Sequence, residues 1–277
     1  MARGIVQSLW IGGRLSVMEQ LCIRSFLDRG HPFHLYAYQP ITNVPEGTQV
    51  RDGNEILPAG EIFVYRRGCG KGSPSAFSNL FRYRLLLERG GWWADLDAYC
   101  MRPLEFADEH VFGYERERDG TLHAACGLMR APAGSPIARF CWNECQKIDR
   151  ARVRWGQIGP RLTARAIRQS SVPVRLLPPD AFYPIDYVRF HRLVRDRQLP
   201  AGCYSIHLWN SRWRREGLEP DAIYPPDCIY EQLKRRHGIE SPPGAPRGDA
   251  GLLGGRLHFV RKFVFKLRRA AGLSDAA

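Results

Sequence analysis

Asp95 and Asp97 stand one residue apart, immediately after Trp92-Trp93-Ala94, and this triplet is where the sequence concentrates chemistry. Hard carboxylate oxygens suit Mg²⁺ or Mn²⁺, which bind through one or two carboxylates plus substrate phosphates and keep waters elsewhere. Leaving a β-strand, an i, i+2 pair brings both carboxylates to the strand end only if the backbone turns there. A metal held in that way neutralises a diphosphate leaving group, acting as Lewis acid and template. Arg82, on a basic helical stretch upstream, can add a charge-assisted contact to phosphate or sugar oxygens. Its other reading is an ion pair with Glu88 or a nearby carboxylate. By itself an Asp-x-Asp triplet is a frequent chance pattern and a solvated turn by default, so the neighbourhood must decide.

That neighbourhood is ordered. Apolar Phe77, Leu80, Phe81 and Leu85 recur at helical spacing over Ser75–Arg89, with Ser78, Asn79 and Arg82 on another face. Gly90-Gly91 stops the helix, and a short strand around Trp92–Asp95 delivers the carboxylates. Upstream, Ile5–Ile11 reads as a strand, Leu15–Leu27 as a helix ending at Gly30, and Phe33–Tyr38 as a second strand. Strand, helix, strand at this spacing opens a parallel α/β sheet, and ligands gather at the carboxyl ends of such strands. A further strand is expected at Ile62–Tyr65, then a glycine-rich basic loop at Arg66–Pro74. Downstream, His123–Arg130 reads as a strand and Ser135–Lys147 as a helix. Another helix follows Gly159-Pro160, and Cys203–Trp209 reads as a strand.

The chain of 277 residues carries a net charge of +13, which points to an anionic partner: nucleic acid, acidic lipid or a phosphate-bearing substrate. A hydrophobic fraction of 44% excludes global disorder. The eight cysteines form no C-x-x-C pair and read as reduced, buried thiols of a cytoplasmic protein. No window has the length of a membrane span, and the N-terminus lacks the apolar core of a secretion signal.

The stretch SNLFRYRLLLERGGWWADLD resembles the signature of the DXD-motif sugar-binding glycosyltransferases. That family includes Golgi mannosyltransferases, α-1,4-galactosyltransferases and bacterial capsule and lipopolysaccharide enzymes, and is distantly similar to the large glucosylating toxins. The resemblance extends to SLWIGG at the first strand, to WGQIGPRLTARAI, and to His207-Leu208-Trp209-Asn210. It implies a GT-A fold, Rossmann-like, with a mostly parallel central sheet. It also implies a nucleotide-sugar donor, probably UDP-linked, Mn²⁺ or Mg²⁺, and transfer of a hexose with retention to a glycan or glycolipid hydroxyl. Asp95 and Asp97 match the family's metal and donor positions. Trp10 matches the residue that stacks on the nucleotide base, although a core tryptophan is its other reading, and Ile11 and Gly12 accompany it in the donor site. Ser78 and Asn79 fall where the family has Ser-Asp facing the sugar; asparagine keeps hydrogen bonding but loses the charge. Trp93 stands where a tyrosine is common. His207 is a candidate third metal ligand, since neutral imidazole binds such ions and a strand end can bring it to the aspartates. A hydrogen-bonding core histidine is equally open. Trp209 either packs over the diphosphate or fills the core.

Residues 1–240 are therefore expected to form the catalytic domain, 241–255 a Pro/Gly-rich linker, and 256–277 a basic amphipathic segment. Residues 256–273, on a helix, would set Phe259, Val260, Phe263 and Leu267 on one face. That face would suit either packing on the catalytic domain or peripheral attachment to an anionic membrane surface carrying lipid-linked acceptors. A basic nucleic-acid-binding protein is the competing reading, but no zinc-finger spacing, RNP-like motif or helix-turn-helix supports it, so no nucleic-acid partner is expected.

Overall fold

The computed structural model describes residues 3–248. The amphipathic tail expected at 256–273 lies outside the described residues. Elements follow in chain order: β1 (Val6–Trp10), α1 (Val17–Asp28), β2 (Phe33–Ala37), β3 (Thr48–Asp52), α2 (Ser75–Arg89), β4 (Gly91–Ala94) and β5 (Ala98–Cys100). Next come β6 (Val111–Arg116), β7 (Leu122–Ala131), α3 (Pro136–Gln146), α4 (Pro160–Gln169), β8 (Arg175–Leu177) and α5 (Pro179–Phe182). The described chain closes with α6 (Arg192–Arg195), β9 (Ser205–His207), α7 (Asn210–Glu216) and α8 (Ile229–Arg236).

Seven strands form one sheet in the order β3-β2-β1-β4-β7-β6-β8. β1, β2, β3 and β4 run parallel to one another, as do β6 and β8; β7 alone is antiparallel, to both β4 and β6. The fold is thus of the α/β class, with a mostly parallel central sheet as expected. Successive strand residues point to opposite faces, and Trp92 and Trp93 show what this does. Trp92 enters the core under α1 and the C-terminal elements, with Leu21, Phe182 and Trp213. Trp93 enters the core beneath α2 and α3, with Phe77, Phe81 and Cys141. Two apolar layers therefore clamp the sheet.

Local signals account for the elements that carry the site. α1 begins at a capping box: Ser16 Oγ accepts from Met18 N–H, and Ser16 N–H donates to Glu19 Oε2 at 2.7 Å. α2 ends at Gly90, whose φ of 63° is in the left-handed region, and an added Cβ there would meet Ala133 N at 2.4 Å. Residues 62–65 do not form the expected strand. Tyr65 and Ser73 instead close a loop, Tyr65 N–H to Ser73 O at 3.0 Å and Gly72 N–H to Tyr65 O at 2.8 Å. The strand beside β2 is β3, Thr-Gln-Val-Arg-Asp. It is an edge strand with little buried surface, so it lacks the apolar run that would have marked it. Among the described residues of the expected linker, Arg247 bridges to Ile223 and Ser241 receives Lys234 Nζ at 2.8 Å, which ties 241–248 to the preceding body.

Candidate active site and metal centre

β1 and β4 are parallel neighbours, with Val6 opposite Trp92 and Gln7 opposite Trp93. Trp10, Ile11, Gly12, Asp95 and Asp97 therefore all lie at the carboxyl edge of the sheet. The chain turns at once after β4, with Ala98 N–H donating to Asp95 O at 2.9 Å. The second ingredient arrives from far along the sequence. β5 pairs antiparallel with β9, setting Ala98 opposite His207, and Leu208 N–H donates to Asp97 O at 2.6 Å. One ligand atom each from Asp95, Asp97 and His207 falls within 4.8 Å of the others.

Each of these side chains is fixed by a partner. Oδ1 of Asp95 takes the Trp93 indole N–H at 2.8 Å and an ion pair from Arg82. Arg82 is 2% exposed and also donates to Asn79 Oδ1 at 2.9 Å, one helical turn back. Glu88 pairs with Arg84 instead. Burial opposes the Arg82 charge, but the Asp95 carboxylate together with Cys126, Tyr83 and Tyr183 outweighs it and raises the guanidinium pKa. Asp95 itself is pushed up by burial, held back by Arg82, and raised again by the neighbouring Asp97 carboxylate. Oδ2 of Asp97 accepts Asn210 N–H at 2.9 Å, and Oδ1 lies 3.3 Å from His207 Nε2. His207 Nδ1 accepts Trp209 N–H at 3.2 Å, which turns Nε2 toward Asp97.

Two features keep the space among the ligands open and shaped. β7 changes register against β6 between Phe112 and Tyr114. Within that irregular stretch Gly127 O takes Asp95 N–H at 2.6 Å, a strand distortion beside a site of the usual kind. An added Cβ on Gly127 would lie 3.1 Å from His207 Nε2 and 3.2 Å from Asp95 Oδ2. Trp209, meanwhile, has φ 58° and ψ 46°, left-handed backbone that a bulky residue adopts at a cost of about 1–3 kcal/mol. It is held by Nε1 donating to Ile185 O at 2.7 Å and by its ring lying 4.1 Å from that of His207.

Of the residues singled out in the sequence, Asp95, Asp97, His207, Arg82, Asn79, Trp93 and Trp209 are joined in one contact network. Trp93 is buried and serves Asp95 through its N–H. Ser78 is half-buried on α2, and among the described residues no hydrogen bond connects its side chain to this network. Trp10 packs against the core under α1, and its buried Nε1–H has no hydrogen-bond partner among the described residues. Sequence reasoning did not single out Asn210, Gly127 or Glu19. Glu19 was legible as the acidic member of an S-x-x-E cap, and Asn210 stood in the quoted His-Leu-Trp-Asn block. Gly127 gave no signal.

Two carboxylates and an imidazole gathered beyond the strand ends of an α/β sheet form a donor set of the kind that divalent cations take. Comparison with known proteins finds likenesses to glycosyltransferases. Residues 131–240 match the family described as the alpha 1,4-glycosyltransferase conserved region. The chain is 31% identical to lactosylceramide 4-alpha-galactosyltransferase of Pan troglodytes over a segment covering 21% of this chain and 21% of that protein. It thus spans about a fifth of the length of that curated relative. The solved structure of the PaToxG glycosyltransferase is 12% identical, with a TM-score of 0.39 over 60% of this chain and 70% of that one. The likeness to a glycosyltransferase family thus lies in residues 131–240. His207, Trp209 and Asn210 fall inside the matched region, whereas Arg82, Asp95 and Asp97 precede it. Among the described residues no helix is long and apolar enough to cross a membrane.

Proposed function

We propose that this protein transfers a hexose from a UDP-linked nucleotide sugar to a hydroxyl of a surface glycan or lipid-linked oligosaccharide, with retention and with Mn²⁺ or Mg²⁺. One observation carries the reading: carboxylates of Asp95 and Asp97 and the imidazole of His207 converge within 4.8 Å at the carboxyl edge of the sheet. Two hard oxygens and one imidazole nitrogen fit a divalent ion of this kind, and imidazole tips the preference toward Mn²⁺. When bound, that ion supplies charge to a departing diphosphate.

The chain's own groups do the remaining work. Arg82 and Trp93 hold Asp95, Asn210 holds Asp97, and Gly127 leaves room between Asp95 and His207. The orphaned indole N–H of Trp10 supports a nucleotide base beside β1, since a buried donor without a partner is rare. Ile11 and Gly12 line the same edge. Asn79, with Ser78 beside it, faces the sugar as a neutral hydrogen-bonding group. Trp209 covers the His207 side. The name of the curated relative makes UDP-galactose the first donor to test.

The reading takes 1–240 as the catalytic domain and 241–255 as a linker. It takes 256–273 as a basic segment for an anionic membrane surface at the cytoplasmic side, where capsule or lipopolysaccharide assembly supplies acceptors. The seven described cysteines are buried free thiols, which supports a reducing compartment. Hydrolysis of a panel of UDP- and GDP-sugars with Mn²⁺ tests the proposal. One UDP-hexose is expected to be cleaved, and Asp97→Ala to lower that turnover about 10²- to 10³-fold with an unchanged Tm. Near-normal turnover in Asp97→Ala, or no cleavage of any donor by the wild type, refutes it.

A further inference from the structure

Helix caps normally sit at the surface and satisfy only local backbone. Glu19 is different. It is 1% exposed, and capping uses only one of its oxygens, Oε2. The other, Oε1, accepts Nδ2 of Asn210 at 2.7 Å, from a residue 191 positions away. Asn210 is fully committed at that point. Its Oδ1 accepts Arg214 Nε at 3.1 Å, and its backbone N–H donates to Asp97 Oδ2 at 2.9 Å.

The residue before Asn210 is Trp209, the one non-glycine with positive φ among the described residues. Left-handed backbone at a tryptophan persists only where its surroundings over-determine it. Trp209 is anchored through its indole to Ile185, and its successor is anchored through a side-chain amide to Glu19. Relaxation of Trp209 toward ordinary backbone would turn the Asn210 N–H away from Asp97. Glu19 opposes that turn from the far side of the site, on α1, a helix that contributes no ligand.

We propose that Glu19 is a positioning residue: through Asn210 it fixes the Asp97 carboxylate in the orientation that lets it share a cation with Asp95 and His207. The cation itself rests on the metal reading above; the alignment of Asn210 on Asp97 does not. Hydrogen-bonded partners behind a metal ligand typically change metal affinity 10- to 100-fold when removed.

Ser16→Ala supplies the control, because it removes the hydroxyl half of the capping box and leaves the Glu19–Asn210 bond. Two measurements on the full chain decide the matter. Titration calorimetry with MnCl₂ is expected to show affinity weakened about tenfold by Glu19→Ala and by Asn210→Ala. The double variant should be little worse than either, since the two residues act in one chain of contacts. Ser16→Ala should stay within about twofold of wild type in affinity while lowering Tm through the lost cap. Native-state hydrogen exchange at the Asn210 amide, with no cation present, should speed up about tenfold in Glu19→Ala and not in Ser16→Ala, following the loss of its anchor. Equal losses in Ser16→Ala and Glu19→Ala, or an unchanged Asn210 amide in Glu19→Ala, would reduce Glu19 to a helix cap and overturn the proposal. If wild type takes up no Mn²⁺, the metal reading falls by itself, and the exchange result alone decides whether Glu19 aligns Asn210.

Discussion

The indole N–H of Trp93 and Oδ1 of Asp95 meet at 2.8 Å, and Arg82 bonds to that same oxygen. Two donors on Oδ1 leave Oδ2 as the oxygen presented toward His207 and the space beside Gly127. The strand alternation that buries Trp93 in the layer beneath α2 is what brings its ring nitrogen back to the strand end. Trp93→Phe keeps an aromatic ring in the layer, at a smaller volume, and removes one charge-assisted hydrogen bond, worth about 1.5–3 kcal/mol. Mn²⁺ affinity by calorimetry is expected to fall about tenfold or more with the fold intact. An affinity equal to wild type would mean that Arg82 alone orients Asp95.

Arg82 is the more dangerous residue to remove. Asp95 sits in a low-dielectric corner beside a second carboxylate, and Arg82 is its counter-charge. Breaking such a pair leaves an uncompensated buried charge, at about 3–5 kcal/mol. Arg82→Met should lower the unfolding free energy read from urea denaturation by that amount and abolish Mn²⁺ uptake. Arg82→Lys keeps the charge but loses the fork that reaches Asn79 and Asp95 together, and should recover about half of the lost stability. Equal midpoints for Arg82→Met and wild type would show that Asp95 is not ionised when the site is empty.

The order strand, helix, strand and the α2–β4 unit were legible because their signals are local: helical spacing in Phe77–Leu85, a glycine stop, an aromatic strand. His207 was reachable as a candidate only through the resemblance, since its meeting with Asp97 depends on the β5–β9 pairing of two three-residue strands far apart in sequence. Pairings that short leave little periodicity to read. β3 gives no apolar run to read because it is an edge strand, whereas the apolar run of Ile62–Tyr65 joins no sheet and Ile62, Phe63 and Val64 line a pocket with Arg66 and Arg150. The role of Glu19 was hidden for a different reason. Its cap pattern explained it fully at the local level, and only the tertiary structure shows its second oxygen engaged elsewhere.

Gly127 is held to glycine by what lies opposite it rather than by backbone strain. A Cβ would stand 3.1 Å from His207 Nε2 and 3.2 Å from Asp95 Oδ2, closer than such contacts normally settle. Gly127→Ala is therefore expected to push the two ligands apart by a few tenths of an ångström and weaken Mn²⁺ binding about tenfold, because ligand geometry is tightly constrained at such centres. Tm should change by no more than about 2–4 °C, the shift expected from about 1 kcal/mol in a domain of this size. A Gly127→Ala protein that binds Mn²⁺ normally would show that the cation does not sit between Asp95 and His207.

His123, on β7, offers a pH test away from the ligands. Its Nε2 lies 2.7 Å from Glu115 Oε1 and its Nδ1 lies 3.6 Å from Glu117 Oε1. The hydrogen bond to Glu115 raises its pKa, burial works against that, and the charges of Glu115 and Glu117 add to the rise. A folded pKa above the unfolded one, about 6.5, means that the protonated pair stabilises the fold fully below that value. The contribution disappears as pH climbs through the folded pKa. His123→Gln keeps a neutral hydrogen bond and loses only the charge. A partly exposed ion pair is worth about 0–1 kcal/mol, so the variant should melt up to about 2–4 °C below wild type at pH 5.5. At pH 8.5, where neither protein carries that charge, the two should melt together. A gap that is the same at both values, or larger at pH 8.5, would show that the imidazole acts here as a neutral hydrogen-bond donor and that Glu115 gains nothing from its protonation.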